Sequence, residues 1–71
     1  MNERTGFSWQ RLGRQAEGLL GVSTNRISNA ANLSALLFQE LSDVSWVGFY
    51  FLDGQDLMVG PFQGKPACVR I

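Results

Sequence analysis

Histidine is absent from the 71 residues, and cysteine occurs once, at Cys68. A single thiol closes no internal disulfide. Without imidazole the chain offers no zinc or haem ligand set and no His-based catalytic arrangement, which removes most hydrolase mechanisms. An excess of either charge is missing too, since six Lys and Arg balance six Asp and Glu with no run of like charge. Phosphate backbones and anionic lipid would find no electrostatic footprint, so neither nucleic acid nor membrane is an expected partner. Nowhere is there an apolar run of about 18 residues, and residues 1–10, with Glu3 and Arg4, hold no apolar stretch of signal-peptide length. A cytoplasmic location is expected, and Asn32-Leu33-Ser34, formally a glycosylation sequon, carries little weight in that setting. Length is the last shortage: a chain this small buries only about 60% of the surface its unfolded form exposes, enough for one marginal core.

What is present reads as two helices followed by strands. Over residues 7–20 the apolar positions Trp9, Leu12, Ala16, Leu19 and Leu20 suit one face of an amphipathic helix, weakened by Gly13 and Gly18. Ser23, Thr24 or Asn25 can cap a second helix, in which Ile27, Ala30, Leu33, Leu36, Leu37 and Leu41 recur at helical spacing. Residues 44–52 are rich in aromatic and β-branched side chains, and Asp53-Gly54 is a hairpin signal. Simple alternation in the return strand, residues 56–62, puts Leu57, Val59 and Pro61 in one phase and Met58, Gly60 and Phe62 in the other, with an irregularity or an edge expected at Gly60-Pro61. A turn over residues 63–66 would lead into a third strand over residues 67–71. Two helices and two and a half strands are less than one complete layered domain, so the expectation is the N-terminal part of a single α/β (α+β) domain over residues 1–71, with more chain after Ile71.

Alternation places Trp46, Gly48 and Tyr50 on one face of the first strand and Val47, Phe49 and Phe51 on the other. Both faces are apolar, which predicts a strand buried on both sides. The two rings would stand about 13 Å apart at their Cα atoms with a bare glycine between them, room for a hollow. One reading is an aromatic-walled pocket for a small group such as a thioether or methyl sulfoxide, with the indole N–H and phenol O–H as polar handles. The other is ordinary core, since aromatic stripes in strands usually pack against a helix. For Cys68, flanked by Ala67 and Val69, the residues alone suggest an inert buried thiol, with Lys65 and Arg70 as the nearby sources of positive charge.

Three strings taken together carry more information: Asn32-Leu33-Ser34-Ala35-Leu36-Leu37-Phe38, Trp46-Val47-Gly48-Phe49-Tyr50, and the long, unusual run from Gly60 through Gly64-Lys65-Pro66-Ala67-Cys68 to Ile71. Over roughly residues 15–71 the chain closely resembles the free methionine-R-sulfoxide reductases, which are GAF-domain enzymes. The resemblance implies a GAF-like fold in which two N-terminal helices pack on an antiparallel sheet, here truncated after the start of its third strand.

It implies chemistry as well. In that family a thiolate attacks the sulfoxide sulfur of free methionine sulfoxide, methionine leaves, a second cysteine captures the sulfenic acid as a disulfide, and thioredoxin reduces the disulfide, with no bound cofactor. By its place in the motif Cys68 matches the resolving cysteine, and Trp46 and Tyr50 match the aromatic lining of the substrate pocket. The attacking cysteine, a further cysteine and the acidic groups for the substrate's amino group would lie after Ile71, so the 71 residues by themselves are expected to be inactive. A homodimer is possible on the family's precedent. The alternative is a GAF-type sensor module that binds a small ligand without catalysis.

Overall fold

The computed structural model describes residues 7–71. Helix α1 (Trp9–Leu20) starts at Ser8, whose Oγ accepts from the Arg11 N–H at 3.2 Å, satisfying one of the donors a first turn leaves over. The same device starts helix α2 (Arg26–Glu40): of the three expected caps Asn25 takes the role, its Oδ1 accepting from the Ser28 N–H at 2.8 Å. Ser23 braces this corner, receiving the Asn25 N–H on its Oγ and the Asn29 side-chain amide on its carbonyl.

The remaining elements form an antiparallel hairpin, β1 (Trp46–Asp53) and β2 (Asp56–Gly64). Its loop is Gly54–Gln55, closed by the pair Asp53↔Asp56. Gly54 has φ +66° and no non-glycine among the described residues has positive φ, the pattern of a type II′ turn with glycine first. β2 continues to Gly64, past the end expected at Phe62, and the chain bends at Lys65.

The third strand is shorter than expected. Residues 69–71 join the free edge of β2 through a Met58↔Arg70 bridge and three backbone hydrogen bonds, between Leu57 and Ile71 in both directions and from the Val59 N–H to the Val69 carbonyl. Ala67 and Cys68 stand outside the ladder, so the strand assigned to them in the sequence does not form there.

Helix α2 lies on one face of the hairpin and α1 packs on α2. Small residues one helical turn apart, Ala30 and Ser34, allow the close approach, and Ser34 is fully buried with its Oγ donating to the Pro61 carbonyl at 3.4 Å. Leu12 is the buried residue of α1, whereas Trp9 at its first turn is 66% exposed. Arg11 and Glu40 add a long ion pair at 3.9 Å between the two helices. The core is correspondingly small. From Trp46 through Phe51 every residue of β1 is half-buried rather than buried, so the burial predicted on both faces is only partial.

Candidate functional site

The two faces of the hairpin differ in chemistry. Phe49 and Phe51 turn inward and line an open apolar cleft with Leu20, Arg26, Ala30 and Leu33, where the Arg26 guanidinium lies 4.6 Å from the centre of the Phe51 ring. Trp46 and Tyr50 occupy the opposite, outer face, as alternation requires.

A β-bulge completes that outer face. Gly48 pairs with Phe62 and Tyr50 pairs with Val59, so two steps along β1 are matched by three along β2, and the extra residue falls at Gly60-Pro61. Pro61 has no N–H to give a ladder, which suits an irregular position. The expected irregularity is therefore real, and it overturns the simple alternation of β2: beyond the bulge the phase changes and Phe62 joins the face of Val59 and Tyr50. There the Phe62 ring stacks on Trp46 with centroids 5.4 Å apart and planes at 18°, while Tyr50 stacks on the same indole at 6.2 Å and 29°. Three rings thus form one stack where the sequence pointed to two.

The hollow expected at Gly48 is occupied. A Cβ at this position would collide with the Phe62 Cβ and stand 2.6 Å from Trp46 Cη2, so the missing side chain is the space into which the indole folds. Both polar tips of the stack are engaged with one loop. Trp46 Nε1 donates to the Lys65 carbonyl at 3.1 Å, and Tyr50 Oη donates to the Cys68 carbonyl at 3.0 Å. Residues 65–68 are thereby held to the aromatic face.

Cys68 is a free, exposed thiol, in contrast with the buried one suggested by its apolar neighbours. Strand burial does not reach it because the ladder resumes only at Val69. Of its two neighbouring cations, Arg70 is committed elsewhere, its guanidinium donating to Asp56 Oδ2 at 2.7 Å. The structure therefore brings Trp46, Tyr50 and the backbone of Cys68 together, and adds Phe62. Phe62 was missed because its face depends on how many residues the bulge inserts. Among the described residues no group of His, Cys, Asp and Glu could hold a metal ion, and no helix is long and apolar enough to cross a membrane.

Helix pair, antiparallel hairpin and returning edge segment define a partial GAF-like fold. No family model matches the chain. Its relatives are specific nonetheless. The free methionine-R-sulfoxide reductase of Escherichia coli is 48% identical over 60 residues, 84% of this chain and 36% of that protein. The substrate-bound structure of the Staphylococcus aureus enzyme named fRMsr superposes with a TM-score of 0.89 at 38% identity, over 99% of this chain and 46% of that one. A candidate GAF sensor protein from Burkholderia vietnamiensis superposes at 0.83 with 55% identity, over 87% of this chain and 39% of that one. The chain is similar to the free methionine-R-sulfoxide reductases and to other GAF-fold proteins, and it spans less than half the length of these relatives.

Proposed function

We propose that this chain supplies the aromatic wall and the resolving thiol of a reductase of free L-methionine (R)-S-oxide. The observation that carries the reading is the Tyr50–Cys68 hydrogen bond, which ties the residue bearing the thiol to the face that holds Trp46 and Tyr50. Stacked rings are apolar and polarisable, suited to a thioether or sulfoxide, and the exposed thiol is open to a reaction partner.

The chemistry divides into three balanced steps. An attacking thiol, contributed by the part of the protein beyond the matched stretch, takes the oxygen of the sulfoxide, giving a sulfenic acid and releasing methionine. The Cys68 thiol condenses with that sulfenic acid, forming the S–S bond and expelling water. The dithiol of thioredoxin then reduces the disulfide by exchange, returning both thiols and leaving oxidised thioredoxin. Trp46 and Tyr50 orient the sulfoxide-bearing side chain in the first step, and Cys68 acts in the second.

The test is turnover by the full-length protein with thioredoxin, its reductase and NADPH. Oxidation of NADPH that depends on the free R-sulfoxide, and not on the S-epimer or a peptide-bound sulfoxide, supports the reading. Absence of turnover with the R-sulfoxide sinks it. A ligand-binding role without catalysis is the second reading, favoured by the 55% identity to the candidate sensor. Thermal stabilisation by a small ligand without turnover would select it.

A further inference from the structure

We propose that Tyr50 is a positioning residue for Cys68, acting through the peptide carbonyl of that cysteine. The inference rests on the reductase reading above and assigns to the phenol hydroxyl a task distinct from forming a pocket wall.

Cys68 sits where two kinds of support meet. Immediately after it, the Val69 carbonyl is held by the Val59 N–H at 2.9 Å, the first bond of the edge ladder. Before it, among the described residues, no backbone–backbone hydrogen bond involves residues 65–68. Their anchors are the side-chain bonds from Trp46 to Lys65 and from Tyr50 to Cys68. Of the two, the Tyr50 bond is made to the cysteine itself. Its donor is a fixed point, because the ring is stacked on Trp46 and Trp46 on Phe62. A resolving thiol acts only while it stands within reach of the sulfenic sulfur, and holding it there raises its effective concentration. Removing the hydroxyl hands the Cys68 carbonyl to water and frees the exposed segment to wander, while the ring stays in the stack.

The experiment bypasses the substrate. The reduced full-length protein is treated with one equivalent of hydrogen peroxide, which converts the reactive thiol to a sulfenic acid and water, and the rate of disulfide formation at Cys68 is followed by quenched alkylation and peptide mapping. Tyr50→Phe is expected to slow capture roughly fivefold, the factor that the net contribution of one hydrogen bond corresponds to. Asn25→Ala, which removes the cap of α2 and leaves both side-chain bonds to residues 65–68 in place, is expected to lower stability with capture unchanged. Unchanged capture in Tyr50→Phe, or equal slowing in both variants, overturns the proposal. Loss of methionine sulfoxide turnover alongside normal, Tyr50-dependent capture overturns the reductase reading alone.

Discussion

The Trp46 indole lies over Gly48, its Cη2 atom 2.6 Å from where a Cβ would stand. Neither the strand backbone nor Phe62 on the neighbouring strand can retreat without opening the ladder. Gly48→Ala is therefore expected to displace the indole and break the ring stack, costing about 1–3 kcal/mol, as overpacking of an ordered cluster does. Chemical denaturation of the full-length protein, read by tryptophan fluorescence, measures both effects. A variant within about 0.5 kcal/mol of the parent, the usual range of a neutral surface change, would mean the indole is not held there.

Two glycines with positive φ should respond unequally. Gly64 has φ +126°, and a Cβ there would meet the Ser45 carbonyl oxygen at 2.7 Å, whereas Gly54, at φ +66°, has nothing within 4 Å. Gly54→Ala bears the left-handed penalty alone, about 1–2 kcal/mol, and Gly54→Asn less. Gly64→Ala adds a steric clash and should be the more damaging of the pair in a thermal melt.

The cap of α2 offers a cleaner measurement. Asn25→Ala leaves the Ser28 N–H without its 2.8 Å acceptor and is expected to cost about 1 kcal/mol, with Asn25→Asp recovering most of it. Equal stabilities for the Ala and Asp variants would argue that another group caps the helix.

How far the sequence could be read depended on whether a feature was local. Helix α2, its cap and the glycine turn follow from spacing and backbone rules that act within a few residues, and they formed as expected. The irregularity at Gly60-Pro61 was legible for the same reason. Its consequence was not, because which face Phe62 takes depends on register across two strands. The Cys68 thiol was misjudged on similar grounds: apolar neighbours predict a strand, but pairing along β2 begins one residue later, at Val69. Alternation also placed Trp46 and Tyr50 on one face without showing that their donors bind loop carbonyls 19 and 18 residues away in sequence.

The Arg70–Asp56 pair should matter little despite its 2.7 Å length. Both side chains are about half exposed, 52% and 50%, and residues 69–71 have their own backbone bonds to β2. Arg70→Gln is expected to change stability by less than about 1 kcal/mol, and by less still at high salt. Equilibrium unfolding at two ionic strengths checks this, and a larger, salt-independent loss would show that the pair organises the edge.

Most direct is the fate of Cys68→Ser in the full-length protein. A burst of about one equivalent of methionine per protein is expected, followed by a steady rate with thioredoxin lowered at least tenfold, since the sulfenic acid forms but is not captured. Repeated turnover with thioredoxin at the parent rate would contradict the role assigned to Cys68.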